Sequence, residues 1–240
     1  MFTESGQFFT SGGGYEIDQS IRFNDNDSAY LTRTPGSAGN RRTFTLSFWW
    51  KMCTLPSATG GGYRIIQAGS TEFGWSDSNN NLYLIDGSVF RQTSQVFRDP
   101  SAWQHIVLAV DTTDATAADR IALYINGVEV TNFATSADPA LNFDFDINDT
   151  QAQNIGKEGS NYIDAYVAEF NLIDGTKEAA TSFGEFNTSG VWVPKAYAGT
   201  YGTNGFYITG EDSSDLGADY SGNGNDFTSS GLTSADQMLD

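Results

Sequence analysis

A single cysteine in 240 residues excludes an intrachain disulfide, so the fold must stand on its core. Cys53 lies in the apolar run LSFWWKMC, where a free thiol acts as a small buried hydrophobe. A reducing cytosol is the simplest compartment for assembly of such a chain. Basic residues are also scarce: 12 Lys plus Arg stand against 30 Asp plus Glu, a net charge of −18. That balance excludes a nucleic-acid binder, which needs a basic face for the phosphates. It serves solubility first and divalent-cation affinity second, because the acids are spread over loops. No apolar window approaches the length of a membrane span, which excludes insertion by a helix. The start, MFTESGQFFTSGGG, lacks a basic stretch followed by an apolar core, so no signal peptide is expected and Met1 reads as the true start. Runs of Leu and Glu are few, and a helix-rich fold is not indicated.

What is abundant points to strands and turns. The 26 glycines, with many Asn, Asp, Ser and Thr, mark tight turns, and 14% aromatic residues suit a large core. A chain of this size buries roughly 70% of its extended surface on folding. Residues 1–14 read as an arm, anchored by Phe8 and Phe9 and hinged at Gly12-Gly13-Gly14. Ser20–Phe23 and Ala29–Thr32 flank the polar turn NDNDS and are expected to form a hairpin. Thr43–Met52 (TFTLSFWWKM) is the clearest strand, with Phe44, Leu46, Phe48, Trp50 and Met52 on one face and Trp49 on the other. Tyr63–Ala68, Glu72–Trp75, Asn81–Asp86, Val89–Arg91, Val96–Phe97 and Trp103–Asp111 follow. Within Arg120–Val130, Asn126-Gly127 predicts a type I′ hairpin. Ala152–Ile155 and Tyr162–Asp174 complete about ten strands, the spacing of an all-β sandwich or jelly roll. After Gly175 the chain is mostly irregular, with one helical turn in TKEAATSFGEF, an extended GVWVPKAY and one strand at Phe206–Thr209. The organisation read from this is an arm (1–14), a sandwich (15–175) and an extension or connector (176–240).

SIRFNDNDSAYLT, FTLSFWWK, WQHIVLAVD, IALYINGVEV and NIGKEGSNYIDAYVAEFNLIDG, in that order, resemble the concanavalin A-like lectin/glucanase superfamily in its laminin-G-like and pentraxin-like form. The resemblance implies a β-sandwich that binds rather than catalyses. The tail, with the phrase DYSGNGNDF, is similar to segments that follow such domains in virion proteins of marine bacteriophages. It implies a virion structural protein (tail, fibre or capsid-appended) assembled in the host cytoplasm. Other virion proteins and host-surface glycans are its expected partners, and a homo-oligomer such as a trimer its expected form.

The superfamily's hydrolases carry Glu-x-Asp-x-x-Glu, and retaining hydrolysis needs two carboxyl groups about 5 Å apart. Here Glu16-Ile17-Asp18 matches, but Ile21 stands where the second glutamate belongs, so no catalytic residue and no depolymerase is expected. His105 in WQHIV has no Gly-x-Ser-x-Gly elbow to serve and reads as structural. Calcium is the one cofactor considered, since Asp- and Asn-rich loops offer hard oxygen ligands. DFDINDT (Asp144, Asp146, Asn148, Asp149) leads, followed by Glu158 with Asp164, Asp25/Asn26/Asp27 and Asp219/Asn223/Asn225. The pentraxin-like Glu-Gln-Asp cluster corresponds here to Glu158, Gly159 and Ser160, which keeps only its first ligand. Turn formation by these side chains is the competing explanation for each cluster. Trp49, Trp75, Tyr83 and Trp192 are the candidate aromatics for a glycan platform or an interface, although for any one of them a place in the core or an interface is the preferred reading. The expected function is a non-catalytic virion protein with a lectin-like module. A purely architectural capsid decoration or fibre is the alternative.

Overall fold

The computed structural model describes residues 14–56, 62–76 and 78–239. The expected arm, apart from Gly14, lies outside them. Twenty strands occur among the described residues. In chain order they begin β1 (Gln19–Phe23), β2 (Tyr30–Arg33), β3 (Thr43–Met52), β4 (Tyr63–Ala68), β5 (Thr71–Trp75), β6 (Leu82–Asp86) and β7 (Ser88–Thr93). Next come β8 (Gln104–Asp111), β9 (Ile121–Ile125), β10 (Val128–Glu129), β11 (Phe133–Ser136), β12 (Gln153–Ile155), β13 (Lys157–Glu158) and β14 (Asn161–Tyr162). The last are β15 (Ala165–Asp174), β16 (Gly184–Phe186), β17 (Trp192–Pro194), β18 (Phe206–Ile208), β19 (Thr228–Ser230) and β20 (Gln237–Leu239).

Two large antiparallel sheets stack as a sandwich. One runs β10-β9-β8-β3-β15-β1-β20, with β18 also on β15; the other runs β11-β7-β6-β5-β4-β12-β2-β19. The alternation in β3 does what its sequence predicts: Phe44, Leu46, Phe48, Trp50 and Met52 all enter the core between the sheets. There Phe48 stacks on Phe170 at 5.0 Å and Trp50 on Trp75 at 4.6 Å. The Asn126-Gly127 turn joins β9 to β10 with positive φ at both residues, 48° and 76°, as a type I′ turn requires.

One expected pairing is wrong. SIRF and AYLT do not form a hairpin: β1 pairs β15 and β20 in the first sheet, and β2 pairs β12 and β19 in the second. The polar turn is a 3₁₀ turn at Asp25–Asp27 that leads across the sandwich, and Phe23 and Leu31 both enter the core. A local turn signal cannot outweigh the long-range partners Val167 of β15 and Ile155 of β12, which bury both strands on both flanks. Val96–Phe97 is also not a strand. Phe97 instead plugs the core edge against Trp75, with ring centroids 5.8 Å apart.

After Gly175 the chain is mostly irregular, with a 3₁₀ turn at Ala180–Ser182 where a helical turn is expected. Beyond the expected strand at Phe206 and the β16–β17 pair, it contributes β19 and β20, three residues each and too short for alternation to announce them. β18, β19 and β20 join both sheets. Among the described residues, no helix is long and apolar enough to cross a membrane.

Candidate functional site

The outer face of the first sheet is largely closed by the chain itself. Trp49, Val107, Ala168 and Ile173 on that face form a second apolar cluster with Ile17, Ala180, Phe183 and Trp192. His105 anchors this cover. Its Nδ1 accepts from Trp192 Nε1 at 3.1 Å, so Nε2 carries the hydrogen and donates to Ser47 Oγ at 2.9 Å. Burial pushes the imidazole down to about 3, so it is neutral and structural.

Where this cover ends, a cavity of about 250 Å³ opens. Its walls come from the segment ahead of β1 (Tyr15, Glu16, Asp18, Gln19), from Glu169 of β15, and from β18 and the loop after it (Tyr207, Thr209, Glu211, Tyr220). The cause is a fault in the sheet. The register between β15 and β3 shifts between Ala168 and Asn171. On the opposite edge, β15 pairs β1 as far as Val167 and β18 only from Phe170. Glu169 sits at that break with φ +53°, a left-handed conformation that costs a non-glycine residue about 1–3 kcal/mol. Strain of that kind persists where the surroundings hold it, and here they hold a carboxyl group.

Tyr15 Oη and Tyr207 Oη each lie at hydrogen-bonding distance, 2.6 Å, from Glu169 Oε2, and the two phenols lie 2.6 Å from each other. Burial raises the Glu169 pKa, against the lowering effect of the two tyrosine hydrogen bonds. Burial, then the charge of Glu169, raises both phenols in turn. At the mouth Tyr220 is 42% exposed, and Glu16, Asp18 and Glu211 reach solvent beside it. Ring faces, carboxylate acceptors, phenol hydroxyls, the Gln19 amide and the Thr209 hydroxyl are the equipment for holding a hydroxyl-rich ligand. A larger groove, about 600 Å³, lies beside the Asn126-Gly127 turn, but among the described residues no aromatic ring lines it and Glu129 is the one ionisable group in its walls.

Residues 23–181 match the model of the concanavalin A-like lectin/glucanases superfamily. The chain belongs to that superfamily. No curated protein matches it in sequence. Among solved structures it is similar to the heptameric SAP-like pentraxin from Limulus polyphemus, at 14% identity over 68% of this chain and 78% of that one, with a TM-score of 0.47. It is also similar to domains LG4-5 of the mouse laminin α1 chain, at 10% identity over 73% and 45%, TM-score 0.44. A third is domain 4 of the Geobacillus stearothermophilus arabinanase AbnA in complex with arabinotriose, at 15% identity over 58% and 64%, TM-score 0.41. At such identities the likeness is one of fold.

The aromatics considered for a glycan platform or an interface are all buried. Trp75 is fully buried, Trp49 is 3% exposed, Tyr83 5% and Trp192 7%. Trp75 is taken by the core stack, Trp49 and Trp192 by the cover, and Tyr83 by contacts with Arg64 and Glu72. None of the four is a platform.

The expected calcium ligands have other partners. Asp144 pairs with Arg42 at 2.7 Å, Asp146 and Asp149 pair with Arg41, and Asn148 donates to Asp174 and the Asn40 carbonyl. Glu158 faces Arg64 and Asn161, while Asp164 pairs with Arg22 at 2.7 Å. Asn24 caps the 3₁₀ turn at Asp25–Asp27 and bonds Asp27. Asp219, Asn223 and Asn225 staple the DYSGNGNDF loop to the backbone of residues 202–207. Among the described residues, no group of three His, Cys, Asp or Glu side chains is placed to hold a metal ion.

The cavity joins residues that the sequence treats separately. Glu16 and Asp18 are there, exposed at its rim, and Ile21 lies in the core where the catalytic pattern requires a glutamate. Glu169, Tyr15, Tyr207 and Tyr220 escape the sequence reading. The one signal for them is Glu169 itself, an acid inside the apolar run AYVAEFNLI.

Proposed function

We propose that the chain is a non-catalytic, lectin-like binding module whose tyrosine and carboxylate cavity takes a neutral sugar residue of a surface glycan. The observation that carries this reading is the cavity at the break in the first sheet. It has an exposed ring at its mouth and convergent hydrogen-bonding groups in its walls. Four acidic side chains, with no basic residue among the described residues of its walls, favour a ligand rich in hydroxyl donors over an acidic one. The setting we propose is an adhesive virion protein, tail or fibre, bound to other virion proteins and to further copies of itself. That part rests on the resemblance of the tail.

Tyr220→Ala removes the exposed ring and should weaken glycan binding about tenfold, roughly 1.4 kcal/mol, without lowering the melting temperature. A glycan array followed by calorimetric titration of the best ligand checks this. Unchanged affinity in the variant, or no glycan bound by the wild type, would overturn the reading.

A second reading, architecture alone, is favoured by one patch. Val128 is 61% exposed, Phe186 54% and Val191 56%, all gathered about Trp192, whose ring lies against Gly127 and 4.9 Å from that of Phe186. Exposed apolar side chains at one place suit contact with a neighbouring protein.

A further inference from the structure

The three oxygens of Tyr15, Tyr207 and Glu169 form a closed triangle with 2.6 Å on every side. Each side is at the short end of the O–H···O range, and each straight hydrogen bond consumes one hydrogen. Two phenols supply two hydrogens. The third side therefore needs a hydrogen from the carboxyl group. With Glu169 ionised, both phenols would donate to it and their own oxygens would meet lone pair to lone pair. The ring is complete only when Glu169 carries its proton.

The surroundings act in the same direction. From the segment ahead of β1, Glu16 and Asp18 face the cavity; from the loop after β18, Glu211 does. Tyr201 stacks behind Tyr207, with ring centroids 6.1 Å apart, and Tyr220 stands at the mouth. Among the described residues, no lysine, arginine or histidine lines the cavity to offset a fourth negative charge. Enclosure favours the neutral acid.

We propose that Glu169 is protonated in the folded protein and that its ionisation, with the proton released to solvent, switches off ligand binding at this cavity as pH rises. The switch rests on the glycan reading above; the stored proton does not. Loss of the proton breaks one side of the ring, which ties the segment at Tyr15 to β18, and adds charge to a site already rich in carboxylates. The folded pKa lies above the unfolded one. The ring's stabilisation is therefore complete below the ordinary glutamate range and is lost as pH rises through Glu169's own titration.

The test begins without ligand, by following the side-chain carboxyl carbons of the wild-type protein by NMR against pH. Glu169 should titrate above the ordinary glutamate range; titration within that range would overturn the proposal. Glycan affinity should then fall about tenfold for each pH unit above that midpoint. In Glu169→Gln, whose amide cannot ionise, the slope should vanish, whatever the absolute affinity. An affinity independent of pH in the wild type would remove the switch. If no glycan binds at any pH, the binding reading fails, and the wild-type titration still decides the proton.

Discussion

Trp75→Ala is expected to lower the unfolding free energy by about 3–5 kcal/mol, as large-to-small changes of buried aromatics do. Trp75 is fully buried, stacked on Trp50 at 4.6 Å with 10° between the planes, and edge-on to Phe97 at 5.8 Å. These contacts join β3 of one sheet to β5 of the other. Truncation would leave a cavity in the middle of the sandwich that the flanking strands cannot close. Denaturant melting measures the change. A loss below about 1 kcal/mol would mean that the ring sits at the surface, as a glycan platform would.

Asp174→Ala should cost a similar amount, about 3–5 kcal/mol, for a different reason. The side chain is 8% exposed and makes no hydrophobic contribution to speak of. Its Oδ1 accepts from the Asn40 backbone N–H at 2.7 Å and from Asn148 Nδ2 at 3.2 Å, and Oδ2 accepts from the Asn204 N–H at 2.9 Å. Three distant loops meet on one carboxylate at the end of β15. Alanine would leave the buried Asn204 N–H without its acceptor and take one acceptor each from Asn40 and Asn148, and a buried donor left unsatisfied costs more than its bond contributes. Asp174→Asn, which keeps one acceptor oxygen, should recover part of the loss. Equal melting of Asp174→Ala and the wild type would show that water replaces the carboxylate there.

The same residues show what sequence can and cannot reveal. β3 and the β9–β10 hairpin are legible because their signals are local: a period of two in TFTLSFWWKM, and two adjacent residues able to take positive φ in Asn126-Gly127. The β1–β2 hairpin fails because its turn is equally local, yet pairing is decided by β15 and β12, more than a hundred residues away. The four candidate platform aromatics are buried for a related reason. Alternation says that Trp49 leaves the inner face, but not that residues 180–192 then cover it.

The cavity was the least visible feature. Tyr15 and Glu169 are 154 positions apart, and Tyr207 and Glu169 are 38 apart. They meet because the β15 register breaks at one residue, and nothing in AYVAEFNLI states a break except its one acid. The carboxylate half of the site was within reach, since Glu16 and Asp18 stood out by their spacing. They lie at the rim of the cavity, with their third partner replaced by a core isoleucine.

The most direct measurement of the account is amide shift mapping on isotope-labelled protein as the best-bound oligosaccharide is added. The account predicts changes centred on Tyr15 to Gln19, Glu169, Tyr207 to Glu211 and Tyr220. Changes confined to the groove at Val128 and Asn132, or to the outer face of the second sheet around Gln67 and Asn154, would contradict it.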